Sequence, residues 1–351
     1  MHNTHRHVAP RDGAPLCAGI DVSADWLDAA RQLGDRAPEH RRFANDAGGH
    51  AALARWLTED RRPARVVTEA SGVYGIDLAL ALHEADGVEV MVLNPRAAKD
   101  YRRSQMHRSK TDEVDAAVLC DYGQRQPFVA WEPPEGDAVE LRQLARRIAD
   151  LTVERAREKN RLHAARASRT TSPVIVNDIE VNLRHLQRRT AATRCRDEMV
   201  RQALKVVSRS TRLSKAYGHL TSVRGIAEKS AVELLGELLC LPEGMSVREW
   251  VAYAGLDVRK HRSGRSVEER PRISKEGNAH VRRALYMPAL VAVRYEPAVG
   301  AFYDRLVGEG KAKMVAVVAV MRKLLHAIYG MLKHDADFDG ALCFQVVPAG
   351  A

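Results

Sequence analysis

Two aspartates three residues apart, Asp112 and Asp115, follow Thr111 in the stretch Ser-Lys-Thr-Asp-Glu-Val-Asp. Thr111 is a good N-cap, and Val114, Ala117, Val118 and Tyr122 recur behind it at helical spacing, so both acids fall on one helical face. Two further carboxylates close apolar runs: Asp21 ends Leu-Cys-Ala-Gly-Ile-Asp, and Glu69 ends Arg-Val-Val-Thr-Glu. A carboxylate at the end of a buried strand is costly unless it is paired or functional. Hard divalent cations take oxygen ligands, and two of them clamp the attacking and leaving oxygens of a phosphodiester. The quartet Asp21, Glu69, Asp112 and Asp115 therefore reads as a metal site for phosphoryl transfer. As an isolated pair, Asp112 and Asp115 would read instead as solvated acids favoured by a helix N-terminus.

The elements that must carry these acids alternate in type. Strands are expected at 16–22, 27–33, 66–68 and 88–93, helices at 48–57, 73–84 and within 95–123, and a polar hairpin region after the second strand. This is an α/β domain with a partly parallel sheet, in which catalytic groups gather at the carboxyl ends of strands. The order β, β, β, α, β, α, with acids on the first strand, a later strand and a late helix, resembles the RNase H and RuvC nuclease fold. Between residues 94 and 110 lie Arg96, Lys99, Arg102, Arg103, His107, Arg108 and Lys110. They would hold a phosphodiester beside the acids, or else form a solvated basic face. The run Trp131-Glu-Pro-Pro-Glu-Gly136 breaks the pattern and marks a boundary.

A chain of 351 residues predicts about two domains. Its net charge of +10 points to an anionic partner, and of 55 basic residues only 12 are Lys and 43 are Arg. Arg suits bidentate phosphate contacts and stacking on bases, so nucleic acid leads; an Arg-rich coding bias is the bland alternative. Five scattered cysteines without a Cys-x-x-Cys pair exclude a disulfide framework and imply reduced thiols in a cytosolic protein. The start is polar and His-rich, with no signal peptide expected, and His2, His5 and His7 read as tail residues. The longest apolar run, 314–321, is too short to span a bilayer, so no membrane partner is expected.

Beyond the boundary, Leu141, Leu144, Ile148 and Leu151 form a short coiled-coil-like stripe, and Ile175, Ile179, Leu183 and Leu186 mark a second amphipathic segment. Such a hairpin serves oligomerisation, domain spacing or nucleic-acid contact, and dimer packing is the simplest of these. Residues 220–235 look like a helix-hairpin-helix, whose glycine turn presents N–H groups to a phosphate. Gly225 and Ile226 fit that turn, but Ala227 replaces its second glycine. Ala254-Gly-Leu256 leads into a basic polar loop of about twenty residues, a length that is usually functional or disordered. Helices at 279–293 and 312–332 supply the core, and the residues past His334 read as a tail.

Taken together, Ala18-Gly-Ile-Asp21-Val-Ser, Glu69-Ala-Ser-Gly-Val-Tyr74, Leu93-Asn-Pro95, Lys110-Thr-Asp112-Glu-Val-Asp115-Ala, Ala254-Gly-Leu256, Ser263-Gly-Arg-Ser266, Ile273-Ser-Lys-Glu-Gly-Asn278 and Arg282-Arg-Ala-Leu-Tyr-Met-Pro288 resemble the DEDD transposases of the insertion sequence 110 family, the bridge-RNA-guided recombinases. The resemblance runs from about Leu16 to Lys333. It implies a tail (1–14), a RuvC-like DEDD domain (15–134), a helical coiled-coil linker (135–215), a mainly α-helical transposase domain (216–335) and a second tail (336–351). It implies the quartet Asp21, Glu69, Asp112 and Asp115 as ligands of two Mg2+, with Mn2+ as an alternative, and Ser263 as the nucleophile. Nucleic-acid contacts are expected at Arg102, Arg103, Arg108, Lys110, Arg262, Arg265, Lys275 and Gly225. The implied partners are donor and target DNA, a structured non-coding bridge RNA and further copies of the chain, from dimer to tetramer, in the bacterial cytoplasm. Ala227, and Val258 where a proline is common, depart from the family pattern.

A serine is a poor nucleophile until activated, and metal coordination would both lower its pKa and neutralise charge on the phosphate. Ser263 would then attack a DNA phosphate and keep the bond energy in a phosphoserine for rejoining. Without the resemblance, Ser263, Ser266 and Ser274 are equal phosphate-contacting hydroxyls. A RuvC-like endonuclease or Holliday-junction resolvase would use the acids and water, without a serine loop. A non-catalytic nucleic-acid scaffold would need neither set intact.

Overall fold

Strict alternation along β1 (Leu16–Val22) gives the sheet two buried faces: Leu16, Ala18 and Ile20 join one core, Cys17 another. The computed structural model describes residues 15–70, 72–106, 111–191, 193–259, 262–263, 267–268 and 272–344, and at 73, 187–191, 193–196, 262–263 and 267–268 the backbone alone. One compact unit runs to Pro133 and a second begins at Pro134.

In the first unit, β2 (Trp26–Gln32), β3 (Glu39–Ala44), β4 (Ala64–Glu69) and β5 (Val88–Leu93) complete a five-stranded sheet in the order β3-β2-β1-β4-β5. The β3-β2-β1 pairs are antiparallel and the β1-β4-β5 pairs parallel. Only Phe43 of β3 is buried, so this edge strand reads in sequence as a polar hairpin region. Helices α1 (Ala47–Thr58) and α2 (Val73–Glu84) cover one face with Leu53, Trp56, Leu57, Leu78 and Leu82. On the other face lie α3 (Pro95–Ser104) and α4 (Asp112–Arg125), through Ala98, Ala116, Leu119 and Cys120. The expected RuvC/RNase H-like α/β fold is thus observed, followed by a mainly helical remainder.

The second unit is built on α5 (Gly136–Ala167), α6 (Pro173–Ala191), α7 (Thr193–Arg209), α8 (Thr211–Ser222), α9 (Glu228–Leu238) and α10 (Val247–Tyr253). The chain then passes β6 (Val258–Arg259), β7 (Arg262–Ser263), β8 (Val267–Glu268) and β9 (Arg272–Ile273) into α11 (Ala279–Tyr295), α12 (Pro297–Gly308), α13 (Lys313–His334) and α14 (Gly340–Cys343). The stripe read as coiled coil does different work: Leu141, Ala145 and Ile148 of α5, with Ala203, Val206 and Val207 of α7, enter one core with α9, α11 and α13. Residues 141–148 and 203–213, the two ends of the expected linker, therefore pack into this core, because a three-four spacing serves packing between helices of one unit as well as a coiled coil. Nor do the residues past His334 all trail away. Phe344 is 1% exposed and stacks edge-on with Phe302, which contradicts the reading of 336–351 as a tail as far as the described residues go.

By length and composition α13 could cross a membrane. It serves here as a core helix, with Val317, Val320, Leu324, Leu325 and Ile328 buried.

Candidate active site

Gly19 sets the site's floor. It pairs with Ala30 of β2 and Val67 of β4, and a β-carbon on it would lie 2.2 Å from the Ala116 carbonyl oxygen, so α4 rests directly on this row. Side chains two residues along a strand share a face. Asp21 therefore stands one row beyond Gly19 on the α4 face, directly opposite Asp28 of β2. The last paired residues of β1 and β4, Ile20 and Thr68, place Glu69 beside Asp21 in the same row.

Helix α4 brings the remaining acids. Thr111 caps it, its Oγ1 accepting from the Val114 N–H at 3.3 Å, and Asp112 and Asp115 occupy the first turn. Of the two, Asp112 is exposed and Asp115 half-buried. The four predicted acids thus come from adjacent strand ends and the start of the helix lying across them.

Arginines face the two acids of the helix, Asp115 and Asp112. Arg102 of α3 places Nη1 3.0 Å from Asp115 Oδ1, without an aligned hydrogen bond, and donates to Oδ2 at 3.5 Å. Arg42 of β3 donates from Nε to Asp28 Oδ1 at 2.9 Å, and its Nη2 lies 3.8 Å from Asp112 Oδ2. Its guanidinium is held firmly charged by the bond to Asp28 and by the field of Asp28, Asp112 and Glu113. Among the described residues no three Asp, Glu, His or Cys side chains converge into a ready-made metal site. The donor set nevertheless fits a hard cation: it is all carboxylate, and Asp115 Oδ1 is buried with no aligned donor among the described residues.

Asp28 and Arg42 are missing from the sequence reading. The available signal was a charge inside the apolar run Leu27-Asp28-Ala29-Ala30, which gains meaning only from the register that sets Asp28 against Asp21. Beneath the site the Cys120 thiol donates to the Cys17 carbonyl at 3.3 Å, and burial pushes its pKa up to about 12, so it is an inert core group.

The expected serine loop folds as short antiparallel ribbons, β6 with β9 and β7 with β8, Ser263 pairing with Val267. Having few apolar residues, it reads in sequence as a loop. The ribbon's base is well tied. Ser274 Oγ bonds the Asp257 carboxylate, the Lys275 N–H donates to Gly255 at 3.1 Å and the Asn278 N–H to Tyr253 at 2.6 Å. Asn278 also caps α11 and donates to Glu237 Oε2 at 2.7 Å, a buried carboxylate paired with Arg146.

Of the predicted nucleic-acid contacts, Arg103 and Lys275 are exposed, while Arg102 is largely engaged with Asp115. Gly225 sits at φ 111° in the turn between α8 and α9, where a β-carbon would meet the Pro288 carbonyl oxygen at 2.7 Å, so packing on α11 accounts for it. Arg108, Lys110 and Arg265, and the side chains of Arg262 and Ser263, lie outside the described residues.

Comparison with known proteins places this geometry. Residues 18–166 match the model of DEDD transposases of the IS110 type, described as Transposase, and residues 217–304 match that of the Transposase IS116/IS110/IS902 family. The pilin gene-inverting protein of Moraxella bovis is 26% identical over 330 residues, covering 92% of this chain and 97% of that protein. The insertion element IS110 43.6 kDa protein of Streptomyces coelicolor is 29% identical over 136 residues, 37% of this chain and 31% of its own length.

Proposed function

The chain belongs to the IS110 family of transposases, DNA-modifying enzymes, and from that premise we propose that it cuts and rejoins DNA strands by RNA-guided transesterification through Ser263. The observation that carries this reading is the acid row: Asp21 and Glu69 at neighbouring strand ends, with Asp112 and Asp115 delivered over them by the α4 start. Asp21, Glu69, Asp112 and Asp115 would hold divalent cations, Mg2+ or Mn2+. Bound there, the ions would supply Lewis-acid neutralisation of phosphate charge.

The chain's own residues do the rest. The Ser263 hydroxyl attacks a DNA phosphorus, its oxygen forms the new ester bond, its proton leaves to a base, and the displaced deoxyribose oxygen departs as the leaving group. The reverse attack by another DNA hydroxyl rejoins strands and frees the serine without hydrolysis. Arg103, Lys275 and Arg262 contribute positive charge for phosphate backbones. The kinship with a protein named for inverting a pilin gene supports rejoining rather than simple cutting. In such a scheme base pairing with a guide RNA carries the specificity, in the cytoplasm and on the nucleoid, and copies of the chain assemble on that RNA.

The test is to purify the chain expressed with its flanking DNA, sequence the RNA that accompanies it, and assay strand exchange with Mg2+. One discrete structured RNA, and an Asp115→Asn protein that binds DNA but does not cut it, are expected. Heterogeneous RNA fragments would overturn guidance, and cutting by Asp115→Asn would overturn the acid site.

A further inference from the structure

Asp28 has no place in the quartet, yet it is 7% exposed and shares its row with Asp21. Its partner Arg42 faces two ways: Nε is bonded to Asp28 at 2.9 Å, and Nη2 reaches only to 3.8 Å from the exposed Asp112 carboxylate. A guanidinium is a rigid fork, so fixing Nε also fixes how closely the other nitrogens approach a second acid. A cation drawn to Asp112 meets the field of this guanidinium, and like charges a few ångströms apart oppose each other measurably even at a wet surface.

We propose that Arg42 is a built-in counter-cation that competes with a divalent ion for Asp112, and that Asp28 is a positioning residue that sets this competition by holding the guanidinium back. The inference rests on the acid quartet binding a divalent ion, as proposed above. It has opposite signs for its two members. Removing Arg42 removes the competitor, whereas removing the Asp28 charge releases Arg42 onto Asp112 and its neighbour Glu113. Because Asp28 acts through Arg42, its effect must vanish where Arg42 is gone. Arg41, next along β3, is the internal control: its guanidinium lies 5.4 Å over the Trp56 ring and 3.8 Å from Glu39, away from the acid row.

The experiment titrates Mn2+ into the full chain without DNA and reads free Mn2+ by electron paramagnetic resonance, with metal-free melting temperatures as a folding control. Arg42→Gln is expected to lower half-saturating Mn2+ roughly two- to fivefold, Asp28→Asn to raise it by a similar factor, and Arg41→Gln to leave it unchanged. In an Arg42→Gln background, Asp28→Asn is expected to lose most of its effect. Shifts of the same sign, or an Asp28→Asn effect that persists without Arg42, would overturn the proposal. If Asp115→Asn abolishes binding while both Arg42 and Asp28 variants are silent, the inference alone fails. If Asp115→Asn leaves the isotherm unchanged, the metal reading fails and takes the inference with it.

Discussion

Gly19 of β1 and Ala116 of α4 approach so closely that a single added β-carbon would stand 2.2 Å from the Ala116 carbonyl oxygen. The helix that carries Asp112 and Asp115 is set on the sheet by this contact. Gly19→Ala is expected to destabilise the first unit by about 3 kcal/mol, the upper range of overpacking, and to lower DNA cutting beyond what the lost folded fraction explains. Thermal melts and a strand-cleavage assay at a temperature where the variant is folded check this, and an unchanged melt would refute it.

His219 of α8 bonds two carboxylates at once, Asp337 through Nδ1 at 2.8 Å and Asp335 through Nε2 at 3.0 Å. Both nitrogens must donate, so these partners raise its pKa above the ordinary histidine value. The clasp is then fully present below about pH 6.5 and is lost as pH rises through the raised value. In acid the limit is Asp335, its carboxyl held low by His219 and then Lys215. The protection factor of residues 336–344, with the base-catalysed intrinsic rate divided out, is expected to fall between neutral and alkaline pH, and His219→Gln to flatten that dependence.

Arg146 Nε lies 2.7 Å from Glu237 Oε1, and Glu237 is 1% exposed. Burial alone would raise the Glu237 pKa, but the Arg146 and Asn278 bonds reverse this and hold it below the usual carboxylate range. Arg146→Met is expected to cost about 2 kcal/mol, less than a fully buried pair because Arg146 is 41% exposed. In the variant burial acts less opposed, the folded carboxyl titrates higher, and its penalty grows as pH rises. The melting difference from the parent should accordingly be larger at pH 7.5 than at pH 4.5.

Neighbouring arginines of α3 should behave differently. Arg103 is 69% exposed and no nearer than 3.8 Å to Asp100, whereas Arg102 is 25% exposed and tied to Asp115. Arg103→Ala is expected to weaken DNA binding for all sequences and to reduce the salt slope by about one, with stability unchanged. A salt titration of binding affinity measures it, and an unaltered slope would remove Arg103 from the interface.

β1 was legible as a nearly continuous buried run, α2 through Leu78 and Leu82 at helical spacing, β5 through its Val-rich apolar composition, and Thr111 announced the start of α4. β3 was hard to see because an edge strand buries so little. Asp28 and Arg42 escaped because their importance comes from strand register, which a single strand's sequence does not display. α12 was missed although Pro297 starts it, and the residues past His334 read as a tail because their anchors, Phe344 in the core and the His219 clasp of Asp335 and Asp337, lie far away in sequence from their partners. The stripe of α5 was visible but not its partner, since helix spacing records that a face is buried and not against what.

The central claim is tested most directly by trapping the reaction halfway. The full chain with its RNA and end-labelled DNA is quenched in denaturant, and any DNA-linked peptide is mapped by mass spectrometry. A phosphodiester on Ser263, lost in Ser263→Ala and in Asp115→Asn while both still bind DNA, is the predicted result. Strand exchange that proceeds undiminished in Ser263→Ala, with no DNA-linked peptide in the parent, would contradict it.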